Sequence, residues 1–512
     1  MLLPQLKPLH VTHNTSYTSV TNQIPDLAII VIDEQDIEKG NIKSSAIKEI
    51  DSDMGGTVTQ MIALGDFEGK WLQSSTSLVL NQKIAKRCLL IGAGSKLNYL
   101  PARARHIGIK CAENALALKA TNVYLFSASQ ILNTKENIAQ CSLGFNMGIY
   151  KFPNSNMKEE TKQELEKPIH LQFVNNIQNC KETLSIAKYI EDAVNFCRLL
   201  QDSPPNIGTP KLIANLAKEQ AEKLGLKVEI FGADELRKRG FNAMLAVANG
   251  SANEPQFVVI EYAPQQYSKS IAFVGKGLTM DTGGYSLKTP STNQEGMKYD
   301  MSGAAVTLSS ILAIAKLKLP VKVFAIAALC ENMVDAHSYR VGDVLTTYSG
   351  KTIEILNTDA EGRVVLSDAL HFAAKDLNPD YIIEFSTLTG AMVTTFGHIG
   401  AGIFAFHPDL QQLIMTAADN TGERAYPLPI WDEVIDDVKG SISDLVNIGA
   451  TRGSAGSMVG AAFLNEFVNN IPFAHIDIAG VANDNGSIGY VRKQSSGYGV
   501  QLVTEITKLL AK

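Results

Sequence analysis

The chain has 512 residues, 45% of them hydrophobic and 19% charged, which is enough apolar material for two or three cored domains. Its net charge of −6 and pI near 5.9 argue against a nucleic-acid footprint over the whole surface, leaving room only for a local basic patch. The six cysteines (Cys88, Cys111, Cys141, Cys180, Cys197 and Cys330) are scattered and form no Cys-x-x-Cys pair, so buried free thiols in a reducing compartment are expected rather than disulfides or a zinc ribbon.

The N-terminus, Met1-Leu-Leu-Pro, shows no basic region followed by an apolar one, so no signal peptide is expected. No apolar run approaches transmembrane length; 323–330 reads as a buried strand, and a cytoplasmic protein without a membrane partner is the expectation. Runs 27–32, 88–91 and 123–126 read as strands, and 103–119 and 136–150 as helices. The polar run 151–168 reads as a loop. A long helix follows over 181–200, with Leu184, Ala187, Ile190, Val194 and Cys197 at helical spacing, and Pro204-Pro205 stops it. Thr209-Pro210 opens the next helix as N-cap and first turn. Strands at 257–262, 270–274, 321–329, 381–385 and 474–479 then alternate with helices that include 303–319 and 456–468. The class is α/β, with 1–180 as a smaller N-terminal α/β domain, 181–204 as a linker helix, and 205–512 as a larger α/β domain whose central mixed sheet is flanked by helices.

Three charged clusters stand out, all in the larger domain. Asn357-Thr-Asp359-Ala-Glu361-Gly362-Arg363 sits between an alternating run (351–356) and a helical pattern (364–374). In an extended segment Asp359 and Glu361 aim to the same side, and Gly362 frees the backbone to turn away. A second cluster follows the strand at 270–274 and contains Lys276, Asp281 and Lys288. The third places Asp300 just before a helix. Four carboxylates at strand ends and helix starts suit magnesium, manganese or zinc. No His-Glu-x-x-His occurs, and none of the nine histidines lies in these clusters. A nitrogen ligand would have to be Lys276, deprotonated by the neighbouring metal.

Taken singly, each residue has a plainer reading. Asp300 alone reads as an N-cap, Lys288 as solvated, Arg363 as a surface or salt-bridge residue, and His337 and His475 as core or loop histidines. Gly275-Lys-Gly277 and Gly92-Ala-Gly94 lack the spacing of a phosphate loop. The plain readings fail together, because three clusters recur at corresponding loop positions of one α/β half.

Asn357–Arg363 resembles the signature of the leucyl aminopeptidase family of two-metal cytosolic enzymes. The blocks 274–284 and 297–305 resemble that family's other active-site blocks in the same order, and 387–391 and 454–457 match further ones. The resemblance covers roughly residues 185–512. Met280 departs from it where phenylalanine is frequent, and Ser302 where glycine or cysteine is. It implies that 205–512 is catalytic, with one metal site formed by Lys276, Asp281, Asp300 and Glu361. A second, more exchangeable site would use Asp281, Asp359 with its backbone carbonyl, and Glu361. It further implies Lys288 as the group stabilising the oxyanion, and Arg363 as the holder of a bicarbonate general base. Met297, Asn357, Thr387, Leu388 and Gly390 would form a pocket for leucine or similar apolar side chains. Two manganese or zinc ions per subunit, peptide substrates cleaved through a metal-bridged hydroxide, and a homohexamer complete what the family implies.

Two other functions are open to the sequence. Another two-metal hydrolase, such as a phosphoesterase, would be expected to carry histidine-rich ligands or several arginines. A DNA-binding regulatory role on the same fold is possible but draws no support from the acidic charge.

Overall fold

The computed structural model describes residues 9–14, 24–79, 81, 84–95, 98, 100–152, 167–289, 294–449, 454–483 and 494–512. The chain divides into two compact units, Met1–Glu191 and Asp192–Lys512, and the change falls within the helix Cys180–Asp202. Most of the loop expected over 151–168, residues 153–166, lies outside the described residues.

The first unit is built on a six-stranded sheet in the order Leu9–Asn14, Ile169–Val174, Asn122–Ser127, Leu27–Asp33, Arg87–Gly94, Ser74–Leu78. All neighbours are parallel except the last pair. Leu27–Asp33 is buried throughout because both of its faces are covered. Leu27, Ile29 and Val31 join one apolar cluster with the helices Leu100–Ala117 and Lys135–Ile149, while Ala28, Ile30 and Ile32 join a second with Ile47 and Val58.

The second unit carries an eight-stranded mixed sheet in the order Ala425–Pro427, Ala401–Ala405, Phe473–Asp477, Tyr381–Ser386, Ser270–Asp281, Lys322–Asn332, Gln256–Tyr262, Lys227–Phe231. Its centre is parallel: Ser270–Asp281 pairs in parallel with both neighbours. The antiparallel pairs lie toward the edges. Helix Ser302–Leu317 approaches the two middle strands so closely that a Cβ on Gly303 would fall 1.9 Å from the Phe385 carbonyl oxygen on Tyr381–Ser386 and 2.9 Å from Lys276 N on Ser270–Asp281. That contact brings the chain just before the helix, and Asp300 with it, to the end of the sheet.

The stretch Gln294–Leu317 is long and apolar enough by composition to cross a membrane, contrary to the expectation that no run approaches that length. Its most apolar window is 83% buried, as in the core helix of a folded domain. All six cysteines are free and buried.

Candidate active site

The central strand Ser270–Asp281 supplies two of the expected ligands, Lys276 and Asp281. Five residues apart, they would point to opposite faces of a regular strand. The pairing with Lys322–Asn332 shifts register between Leu278 and Met280, and such a one-residue irregularity reverses the alternation. Both side chains therefore reach the same cluster.

Lys276 is 3% exposed, and its Nζ lies 2.8 Å from Asp300 Oδ2 and 2.8 Å from Glu361 Oε1. It also donates to the Thr387 carbonyl at 3.3 Å. The Asp300 carboxylate does not cap the following helix, whose N-cap is Met301 without a side-chain bond; its Oδ1 instead accepts from Thr387 Oγ1 at 2.8 Å. Glu361 is the first residue of helix Glu361–Phe372 and is 1% exposed. Gly362 is helical rather than a point where the backbone turns away. A Cβ there would lie 2.5 Å from Lys276 Cε and 2.7 Å from its Nζ, so glycine makes room for the lysine.

Lys288 joins the other two carboxylates. Its Nζ lies 2.8 Å from Asp281 Oδ2 and contacts Asp359 Oδ1, and its side chain is only 10% exposed, so it is not a solvated lysine. The turn that returns Lys288 to the site runs through Gly283 (φ +87°) and Gly284 (φ +62°), in the left-handed region that favours glycine. Asp281 Oδ1 accepts from Gly283 N and Asn332 Nδ2, both at 2.8 Å. Asp359 stands in a turn rather than an extended segment, with its N–H donating to Asn357 Oδ1 at 2.8 Å. Asp281, Asp300 and Glu361 bring one oxygen each within 4.8 Å of one another; Asp359 is not one of these three and is tied to them through Lys288.

Arg363 is buried, not a surface residue, and donates from Nη1 to the Asn447 carbonyl at 3.0 Å. Gly460 makes space beside it: a Cβ there would fall 2.8 Å from Leu388 Cδ2 and 3.3 Å from Arg363 Nη2. Leu388 is thus beside Arg363. Thr387 spends its hydroxyl on Asp300 and its carbonyl on Lys276. Asn357 accepts at its carbonyl from Asn447 Nδ2 at 2.6 Å. Gly390, exposed, opens helix Gly390–Phe396, and half-buried Met297 lies in the 3-10 turn Gln294–Tyr299 just before Asp300.

Several supporting residues carry no signal in the sequence. Asn332 links Asp281 to the Thr358 carbonyl (3.0 Å), which also accepts from buried Tyr339 OH at 2.8 Å. Thr358 Oγ1 donates to the Gly283 carbonyl at 2.7 Å and accepts from Ser286 N at 2.7 Å. His475 is fully buried, as a core histidine should be, with Nδ1 2.6 Å from Glu384 Oε2.

Electrostatically, four carboxylates in contact with two ammonium groups leave an excess of negative charge. Burial, reinforced by the charge of Asp281, pushes Glu361 up to about 8, with Lys276 opposing. Burial likewise raises Asp300 to about 6 against the pull of Lys276. Burial works against the charges of both lysines, yet the surrounding carboxylates outweigh it and hold each above its ordinary value. Arg363 is pushed down to about 10 by burial, with Glu361 and Asp477 opposing. Glu361 Oε2 is buried with no hydrogen-bond partner among the described residues. A buried acceptor without a donor, beside converging carboxylate oxygens, fits a divalent cation.

Residues 195–504 match the family model described as "Cytosol aminopeptidase family, catalytic domain", and residues 29–159 the one described as "Cytosol aminopeptidase family, N-terminal domain". The "Probable cytosol aminopeptidase" of Roseiflexus castenholzii is 38% identical over 450 residues, spanning 87% of this chain and 91% of the relative. The "Cytosol aminopeptidase" of Buchnera aphidicola subsp. Acyrthosiphon pisum is 38% identical over 458 residues, 88% of this chain and 90% of the relative. Among solved structures, a mutant of tomato leucine aminopeptidase is similar with a TM-score of 0.87 at 28% identity, covering 99% of this chain and 98% of that one. With the catalytic model matched over most of the chain and close relatives covering nearly all of it, the chain belongs to the cytosol aminopeptidase family.

Proposed function

We propose that the cluster at the end of the larger sheet holds two divalent cations, manganese or zinc, and that the chain uses them to release N-terminal residues, leucine and other apolar ones preferred, from peptides. By its family the chain is a metal-dependent aminopeptidase, a hydrolase. The observation that carries the metal reading is the unpartnered Glu361 Oε2 among three buried carboxylates whose oxygens converge. Lys276, Asp281, Asp300 and Glu361 would hold one cation, and Asp281, Asp359 and Glu361 the other.

When bound, such cations would polarise the scissile carbonyl and acidify a water at neutral pH. To hold a cation Lys276 would have to be neutral, a change that the cation's own charge would favour. Lys288, fixed between Asp281 and Asp359, offers an ammonium to the oxyanion that develops on the substrate. Carboxylates holding the cations would not be free to take a proton, so another acceptor would be needed beside them. Arg363 supports one: its guanidinium is buried, only one of its donors is bonded to Asn447, and Nε has no partner among the described residues. A planar anion such as bicarbonate suits that fork. Leu388, packed beside Arg363, together with Met297, Asn357, Thr387 and Gly390, would form the wall that selects the first side chain.

The same reading takes 1–180 as a domain serving assembly, 181–204 as a linker and 205–512 as catalytic. It takes the assembly as a homohexamer, which light scattering on the pure protein tests, and the location as cytoplasmic, in line with the relatives' names. The test of function is a panel of dipeptides and their N-acetylated forms. Free dipeptides should be cleaved and blocked ones spared, with activity lost in chelator and regained with manganese or zinc. Equal cleavage of both would contradict the reading.

A further inference from the structure

Outside the ligand cluster, the buried acid with the most consequential contacts is Asp477. It is fully buried at the end of strand Phe473–Asp477, paired with Ser386 on the neighbouring strand, and it faces the loop that leaves that strand, Thr387-Leu388-Thr389. Its Oδ1 accepts from Leu388 N at 3.2 Å and from Ala479 N at 3.1 Å, and its Oδ2 accepts from Thr389 Oγ1 at 2.6 Å. Ser457 Oγ lies 2.6 Å from the same Thr389 hydroxyl, so helix Gly456–Asn465 is joined to the loop at that point. Two residues before Thr389, the loop contacts the ligand cluster twice, from Thr387 Oγ1 to Asp300 and through the Thr387 carbonyl, which accepts from Lys276.

We propose that Asp477 is a positioning residue: by fixing Leu388 and Thr389 it sets where Thr387 holds Asp300 and Lys276, and so tunes the affinity of the site for its cation. The inference rests on the metal reading of that site. Two bonds from one carboxylate hold consecutive residues of the loop, Leu388 through its N–H and Thr389 through its hydroxyl, while the third, from Ala479 N, fixes the carboxylate itself. Thr387 can then orient an aspartate oxygen and a lysine nitrogen together, as partners behind metal ligands commonly do. His475 Nε2 lies 3.9 Å from Asp477 Oδ2 and Phe404 stacks on the imidazole, so the face of Asp477 away from the loop is closed by rigid groups.

The test is Mn²⁺ titration by calorimetry on the full chain, alongside kcat/KM on a leucyl dipeptide and thermal melting. Thr389→Val keeps the shape and removes the hydroxyl that Asp477 accepts from; Thr389→Ser keeps it; Asp477→Asn replaces one accepting oxygen with a donor. Thr389→Val and Asp477→Asn should weaken Mn²⁺ binding by roughly 10–100-fold and lower kcat/KM by at least about 10-fold in protein that still melts cooperatively, at a temperature lowered in Thr389→Val by the lost cap of helix Gly390–Phe396. Thr389→Ser should restore both. Parental Mn²⁺ affinity in folded Thr389→Val would overturn the inference, and that variant decides it even if Asp477→Asn does not fold. A parent chain that takes up no Mn²⁺ would instead overturn the metal reading beneath it.

Discussion

Both units end a central strand with a buried aspartate, and the two differ in what answers the charge. In the first, Asp33 closes Leu27–Asp33, and its oxygens accept from Ser129 Oγ at 2.7 Å and Gln130 N at 2.6 Å. Neutral donors hydrogen-bond that carboxylate, the charge of Arg103 opposes its own, and it ties a loop to a sheet. In the second, Asp281 closes Ser270–Asp281 amid three more carboxylates and two lysines, and a neighbouring glutamate oxygen has no donor among the described residues. A lone acid at a strand end is architecture; converging acids that the protein does not fully neutralise are poised for a cation.

The largest effect that sharpens this contrast is expected at Glu361. Glu361→Ala should reduce kcat by far more than the roughly 100-fold typical of an outer partner of a metal ligand, in fully metal-loaded protein. Turnover close to the parent's would break the comparison. Lys288→Ala should cost about 10²–10³ in kcat, the range for removing one oxyanion donor, with cation content retained in elemental analysis. Arg363→Ala should also keep its metal, and added bicarbonate should no longer accelerate the residual rate; an undiminished response to bicarbonate would remove Arg363 from the proton path.

A smaller effect concerns pH. Glu361 has its carboxyl raised from 4.5 to about 8, so the folded chain binds a proton that the unfolded chain has already released. In chelator, stability should therefore fall as pH rises from about 4.5 toward 8, and Asp300, raised to about 6, adds a decline of the same sign at the lower end. Glu361→Gln should flatten the melting-temperature profile across that window. The smallest catalytic effect belongs to Asp33→Ala, which should leave kcat/KM unchanged while lowering unfolding stability by about 1–3 kcal/mol, the range for stranding buried donors.

Much of this was legible in the sequence. Apolar runs such as 27–32 and 270–274 mark the buried central strands, and the double proline at 204–205 marks the end of the long helix to within a few residues. The charged clusters lie at strand ends and helix starts, where local pattern places them. The short strands Ala401–Ala405 and Ala425–Pro427, the last two at one end of the sheet, leave little trace in the sequence because they are held by pairing, not by a periodicity of their own. The register shift near Leu278 has no local signature, yet it decides that Lys276 and Asp281 share a face. Gly362 shows the same limit: its neighbour Lys276 arrives from another strand, so its purpose is visible only in three dimensions. Asn332, Asn447 and Asp477 likewise act on residues distant in the chain.

The central claim is tested most directly by counting cations. Chelator-treated protein titrated with Mn²⁺ should bind two ions per chain, Asp33→Ala should bind the same two, and Glu361→Ala should lose high-affinity uptake. Binding that survives in Glu361→Ala, or that disappears in folded Asp33→Ala, would contradict the account.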